Sequence, residues 1–284
     1  MATFTNQAFL SYRNNITPSN IVTGEIREVL TASKTAVTET YSAGDTVTYV
    51  ISMVNSGGAP LSGLTVTDNL GAYPFGTGTV VPLDYTEGSV RYFVNGVLQA
   101  TPTVSGVSPL TVTGLSLPAG GNGILVYETT VNSFAPLGTG GTITNTATVT
   151  GAGVPTPITV TETVTAEAAA FLTINKAISP VSVADNEPLT YTFTLQNFGN
   201  TATVATDDVT ISDTFDPILD PVTVTLDGVT LAEGTDYTYD ETTGAFATVP
   251  GRVAIPAATY TQDPVTGEWN VEPGTVTLTV TGTV

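Results

Sequence analysis

The chain contains two lysines, Lys34 and Lys176, and each shares a period-two face with apolar residues. Leu30, Ala32 and Ala36 flank Lys34, while Leu172, Ile174 and Ile178 flank Lys176. Such alternation marks the inward face of a β-strand, so both amines are predicted to point into a core. Two aspartates stand in the same setting: Asp68 with Leu64, Val66 and Leu70, and Asp213 with Val209, Ile211 and Phe215. Two asparagines do so as well, Asn145 between Ile143 and Ala147, and Asn6 between Phe4 and Ala8. Burial lowers the pKa of a lysine and raises that of an aspartate. A neutral amine is a nucleophile, and a protonated carboxyl polarises an amide by hydrogen bonding. Lysine, acid and asparagine enclosed together are the ingredients of an isopeptide bond formed with loss of ammonia. The sequence predicts two sets: Lys34, Asp68 and Asn145 within one chain, and Lys176 and Asp213 with Asn6 of the next subunit. The same spacing also fits a buried lysine–aspartate ion pair beside a hydrogen-bonded asparagine, with no covalent bond.

The elements that must carry these residues follow from an internal repeat. Tyr49 and Asn55 stand at the same distances from Lys34 as Tyr191 and Asn197 do from Lys176. Leu64 to Asp68 matches Val209 to Asp213, and Leu117-Pro118-Ala119 matches Ile255-Pro256-Ala257. Asn95-Gly96 and Asp227-Gly228 each sit between apolar residues and predict two-residue hairpin turns, whose central positions need positive φ. Leu189, Tyr191, Phe193 and Leu195 alternate with threonines, as in a half-buried antiparallel strand. The predicted fold is therefore all-β, two tandem immunoglobulin-like sandwiches spanning 29–168 and 169–284, preceded by an arm and connector at 1–28.

The first repeat closes with a strand at Ile143 to Val149, a turn near Gly151 and a further strand at Ile158 to Val164. The second repeat has no such ending, yet Phe4 to Leu10, a turn near Asn14-Asn15 and Ile21 to Ile26 reproduce it at the front of the chain. Phe4, Asn6, Ala8 and Leu10 are thus the predicted inward face of a donor strand that completes the second sandwich of a neighbouring copy, by strand addition. An open sheet edge left unfilled is an aggregation hazard. The alternative is an arm that folds back into its own chain.

Composition narrows the function classes. Formal net charge is -19 with six lysines and arginines in all, which excludes a phosphate-binding surface for nucleic acid and disfavours an anionic membrane. There is no cysteine and no histidine, which removes disulfides, histidine-based nucleophilic catalysis and most transition-metal sites. No apolar run approaches the roughly 18 residues of a membrane span. Strand-like sequence begins directly after Met1, so no signal peptide is expected. Either a leader has been removed, or the protein leaves the cytoplasm by another route, such as release with a spore. Asp207, Asp208, Asp216 and Asp220 carry oxygen ligands suited to Ca²⁺ but match no loop pattern, and read as solvated turn acids. Trp269, Tyr237 and Tyr239 offer aromatic faces that could stack on sugars or simply pack.

Lys34 and Lys176, Gly44-Asp45-Thr46-Val47-Thr48-Tyr49, Asn55-Ser56-Gly57, Val66-Thr67-Asp68 and Ile143 to Val149 resemble a bacterial surface-repeat family, usually called domain of unknown function eleven. The resemblance covers both repeats, and in the second Asn186-Glu187 replaces Gly-Asp. It implies immunoglobulin-like modules of cell-surface and appendage proteins, with no enzymatic activity, cofactor or metal. Immunoglobulin-like modules of bacterial pili and adhesins form isopeptide bonds, so the lysine chemistry suits it. The expected function is a structural subunit of an extracellular filament on a cell or spore surface. It would polymerise head to tail with itself by donor-strand complementation. The alternative is a monomeric cell-surface adhesin or carbohydrate-binding module.

Overall fold

The computed structural model describes residues 2–284; Met1, which the sequence reading places in the arm, lies outside them. Among these residues strands dominate, with a single 3-10 turn at Ala205–Asp207. The arm carries β1 (Ala2–Asn6), β2 (Phe9–Tyr12), β3 (Asn15–Pro18) and β4 (Val22–Ile26). The next stretch carries β5 (Leu30–Ala36), β6 (Thr40–Tyr41), β7 (Thr46–Asn55), β8 (Leu61–Asp68), β9 (Tyr73–Phe75), β10 (Gly78–Val80) and β11 (Leu83–Tyr85). It continues with β12 (Arg91–Val94), β13 (Val97–Leu98), β14 (Thr103–Val107), β15 (Leu110–Leu117), β16 (Asn122–Val131), β17 (Thr142–Thr150) and β18 (Ile158–Ala166). The last stretch carries β19 (Leu172–Ser179), β20 (Pro188–Asn197), β21 (Ser212–Thr214), β22 (Thr223–Leu226), β23 (Val229–Thr230), β24 (Tyr237–Tyr239), β25 (Ala245–Thr248), β26 (Thr259–Gln262), β27 (Trp269–Glu272) and β28 (Gly274–Thr283).

Among the described residues two compact units result, one of residues 2–132 and 143–164, the other of 133–142 and 165–284. Relative to the boundary expected near 168, the segment 133–142 is grouped with the second unit. Hydrogen bonds explain this: Asn200 Nδ2 donates to Leu137 O at 2.9 Å, Thr139 Oγ1 donates to Asn200 O at 3.0 Å, and the backbone N–H of Trp269 donates to Ser133 O.

In the first unit one sheet runs β13-β12-β16-β7-β5 and the other β14-β15-β8-β17-β18-β6. Alternate residues of each strand enter the space between them: Val47, Tyr49, Ile51 and Met53 from β7, and Leu64, Val66 and Asp68 from β8, are buried. That is the predicted sandwich. The second unit repeats the first sheet as β19-β20-β28-β22-β23, with Leu189, Tyr191, Phe193 and Leu195 buried as the alternation requires. Its other sheet is β21-β25-β24, which matches β8-β15-β14 and stops there. Among the described residues nothing occupies the free edge of β21, where β17 pairs with β8 in the first unit.

Local geometry confirms the repeat. Asn95 and Gly96 have φ of 49° and 81°, and Asp227 and Gly228 have 48° and 80°, both turns left-handed at each centre as expected. Asn186 replaces Gly44 without changing the turn, since their φ values are 65° and 77°, and asparagine tolerates that region. Buried Asn55 donates through Nδ2 to Ala59 O and Pro118 O, both at 2.9 Å, and accepts from Gly57 N. Asn197 donates to Thr201 O and Pro256 O and accepts from Gly199 N in the same pattern. Each asparagine thus replaces ladder bonds that an irregular loop lacks.

Asn55→Ala deletes three such bonds made by a fully buried side chain. Unfolding of the first unit in urea is expected to show a loss of about 2–4 kcal/mol. An unchanged midpoint would mean that the loop holds itself.

Candidate functional site

In the first unit the three predicted residues converge. Lys34 comes from β5 in one sheet, while Asp68 and Asn145 come from adjacent strands β8 and β17 of the facing sheet. Lys34 Nζ lies 2.6 Å from Asp68 Oδ2, and both side chains are inaccessible to solvent. Asp68 Oδ2 also accepts from the Tyr127 hydroxyl at 2.5 Å, and Oδ1 accepts from Leu70 N at 2.8 Å. Asn145 is fully buried, its Oδ1 accepting from Gly71 N at 3.2 Å while Nδ2 has no hydrogen-bond partner among the described residues. Among the described residues the Tyr49 hydroxyl also has no hydrogen-bond partner, and the Lys34 ammonium sits 4.6 Å from the centre of the Tyr49 ring.

Burial pushes the Lys34 pKa down to about 8 against the opposing pull of Asp68. Burial likewise raises the Tyr127 hydroxyl well above its ordinary range, reinforced by the Asp68 charge, and raises that of Tyr49. The amine therefore gives up its proton more readily than an ordinary lysine, its proton acceptor is in contact, and the amide carbonyl faces a backbone donor. An amine, a carboxylate and an amide are the groups that acyl transfer from an asparagine to a lysine would require.

Three participants were not singled out by spacing. Tyr127 lies inward on β16 with Leu125 and Thr129, and nothing in its own strand distinguishes it from core packing. Asn69 holds the site turn: its Oδ1 accepts from Gly71 N at 3.0 Å and from Thr146 N at 2.9 Å. Gly71 has φ of 72°, and a Cβ there would come 2.5 Å from Ile143 Cγ2, so the turn can approach β17 only with glycine.

The second unit shows part of the same arrangement. Lys176 and Asp213 form an ion pair, but their side chains are 41% and 19% exposed. The Lys176 ammonium stands 4.5 Å from the Tyr191 ring centre and 5.6 Å from those of Phe193 and Phe215. Every residue of β19 is exposed, Ile174 at 58% and Leu172 at 44%, whereas its counterpart Leu30 is 5% exposed. No asparagine from the described chain meets Lys176. Asn6 is in β1, which pairs with β4, while β2 pairs with β3, and the arm's strands pair with nothing else. The arm is thus a long hairpin whose turn falls on Arg13 and Asn14, one residue earlier than expected, both with positive φ. Phe4, Leu10 and Asn6 are exposed, and Phe4 lies across Gly24 of β4.

Two other groups take the plainer of the alternatives the sequence offers. Tyr237 and Tyr239 pack as core residues, their rings tilted against Phe246 and Phe215, and the Tyr239 hydroxyl is tied to Leu219. Trp269 is half-buried on the β26–β27 hairpin. Asp207, Asp208, Asp216 and Asp220 are exposed, and among the described residues no three acids assemble into a metal site. Among them, too, no helix is long and apolar enough to cross a membrane.

No family model matches the sequence, and neither does any curated protein. Among solved structures the chain is similar to the pilus backbone RrgB from Streptococcus pneumoniae, at 13% identity and a TM-score of 0.36, over 86% of this chain and 55% of that one. The full-length structure of that pilus protein matches at 13% identity and a TM-score of 0.33, over 91% of this chain and 41% of that one. The collagen-binding subdomain of the Enterococcus faecalis surface protein ACE matches at 9% identity and a TM-score of 0.31, over 50% of this chain and 99% of that one. The chain therefore spans about half the length of the pilus chains it matches.

Asn145→Ala leaves Lys34 free beside Asp68. A lysine whose folded pKa is about 8 against an ordinary 10.5 binds fewer protons folded than unfolded between those values. Stability of this variant is therefore expected to rise from pH 8 to about 9.5, below the range where tyrosines titrate. Denaturant unfolding at stepped pH measures it, and a flat profile would mean that Lys34 stays charged when folded.

Proposed function

We propose that this chain is a structural subunit of an extracellular fibre that grows head to tail, and belongs with the surface-repeat modules its motifs resemble. The arm of one copy completes the second unit of the next, and lysine–asparagine bonds lock the result. One observation carries this reading. The face of β19 that carries Leu172, Ile174, Lys176 and Ile178 is open, whereas the same face of β5 is covered in the first unit. What covers β5 there is a facing sheet extended by β17 and β18, the two strands that the arm repeats.

The register supports the match. In the first unit Thr144 and Thr163 join across β17 and β18 by a 3.1 Å side-chain bond. Aligning Asn6 with Asn145 places Thr5 at the position of Thr144, and Thr5 pairs with Thr23 across β1 and β4. Phe4 then takes the place of buried Ile143, and Asn6 reaches Lys176 and Asp213. Burying Phe4 and Leu10 contributes roughly 1.5–3 kcal/mol each. Because the donor is already paired as a hairpin, less conformational entropy is lost on docking than for a free strand, at roughly 1–2 kcal/mol per residue ordered.

The bond chemistry balances without an added reagent. Lys34 passes one proton to Asp68, and the neutral Nζ attacks Cγ of Asn145. The carbonyl electron pair moves to Oδ1, toward Gly71 N–H. Asp68 gives its proton to the departing Nδ2 and takes a second proton from Nζ, the C–Nδ2 bond breaks, and ammonia leaves. The acid ends neutral beside a neutral amide, which suits a dry site.

Deleting residues 2–26 is expected to abolish filaments in electron micrographs while the first unit still folds. Polymerisation of the truncated chain would refute donation. Each bond removes about 17 Da, so denatured fibre should contain covalent multimers, and each chain should weigh less than its translated sequence. Full mass would leave a non-covalent ion pair.

A further inference from the structure

We propose that the second unit offers the hairpin of a second copy two edges rather than one: β21 receives β1, and the stretch Ser182-Val183 receives β4. The second edge rests on the donation reading above. In the first unit the facing sheet does not stop at its closing hairpin. It runs β8-β17-β18-β6, so the hairpin lies between β8 on one side and β6 on the other. Ser182 and Val183 stand at the same distances from Lys176 as Thr40 and Tyr41 of β6 do from Lys34.

The backbone puts the two stretches in the same place. Ser42 N donates to Asp45 Oδ2 at 2.8 Å, and Asp45 N donates to Ser42 O at 3.3 Å. Ala184 N donates to Glu187 Oε2 at 3.3 Å, and Glu187 N donates to Ala184 O at 3.1 Å. Gly44 N then donates to Val131 O at the end of β16, and Asp45 O accepts from Val131 N. Asn186 N donates to Val284 O just after β28, and Glu187 O accepts from Val284 N. The same turn is thus tied to the matching strand in both units. The difference lies in what comes alongside. β6 pairs with β18, whereas among the described residues Ser182 and Val183 pair with no strand. Tyr41 is buried, while Val183 is half-buried against the core and Val181 is 90% exposed. A gap bounded on both sides and two strands wide takes a hairpin, and a lone strand would leave one edge bare.

The arm's side chains suit this slot. Ile143, Val164 and Tyr41, from β17, β18 and β6, are all buried in the first unit. Their counterparts are Phe4, Gly24 and Val183. Gly24 pairs with Phe4 across the arm, and a Cβ on Gly24 would fall on the Phe4 ring. The ring therefore takes the room over β4 that Val164 fills over β18, and Val183, smaller than Tyr41, leaves space beside it. In its own chain the arm pairs with nothing outside itself, so the hairpin that enters is another copy's.

Hydrogen exchange of the full chain, dispersed and assembled, separates the two edges. Assembly is expected to slow exchange at 212–214 and at 181–183 alike, by about a hundredfold or more at each newly bonded amide. Protection at 212–214 with unchanged exchange at 181–183 refutes the second edge and leaves donation standing. Filaments with neither stretch protected, or no filaments at all, refute donation itself. Disulfides identify the occupant, since the chain has no cysteine of its own. Ser182→Cys is combined with Thr23→Cys in one variant and with Glu25→Cys in another, all three positions being exposed. Oxidised filaments of one of the two variants should give a ladder of multimers on a denaturing gel, because cross-strand neighbours lie within disulfide reach. A disulfide closed within single chains refutes a second copy as the occupant. No disulfide in either variant refutes the pairing with β4.

Discussion

A lysine and an aspartate held without water between two sheets is the constraint on which the first unit is built. Taking both charges out of solvent costs several kcal/mol per ion, and the pair recovers this only where geometry is good and the remaining polar atoms are satisfied. The surroundings meet that condition around Asp68 with a tyrosine hydroxyl, a backbone N–H and the amine. They do not meet it around Asn145, whose Nδ2 has no hydrogen-bond partner, although it lies in a fully buried side chain. An orphaned buried amide beside an amine of lowered pKa is costly as a resting state and reasonable as a reactant. Removing the amide nitrogen as ammonia and neutralising the lysine would relieve both costs in one event.

The same constraint sorts the two units. In the first, β17 and β18 extend the facing sheet, β5 is covered, and Lys34 is dry. In the second, the facing sheet has three strands, β19 is open, and Lys176 rests against aromatic rings where solvent still reaches it. The chemistry available to each lysine follows from how many strands face it, not from its own neighbours in sequence, which are nearly the same.

Much of this was legible in the residues. The repeat, the alternation in β20, the two hairpin turns and the inward positions of Lys34, Asp68 and Asn145 all follow from spacing, because strand periodicity is local. Asn55 and Asn197 were visible as matching positions, but their role as loop clamps was not, since it depends on carbonyls that arrive from Pro118 and Pro256. Tyr127 and Asn69 were hidden for a similar reason. One sits on a strand where any large apolar residue would look the same, and the other reads as an ordinary turn residue after Asp68. Tyr237 and Tyr239 could pack or stack on a ligand as far as the sequence goes, and only the fold shows that their ring cluster fills the core of the second unit. The arm's self-pairing was half legible: its likeness to β17 and β18 is in the sequence, but a single chain gives it no groove to enter.

Under the proposed donation, the open edge of β21 would make the molecule polar in the sense of a plug and a socket. If copies join through it, the two extremities of any assembly are chemically unlike: one presents an unclaimed hairpin rich in exposed apolar side chains, the other a vacant slot with a waiting amine. An anchor on a surface and a terminator at the tip would then need opposite tools. One must carry a slot of its own, and the other a strand to surrender.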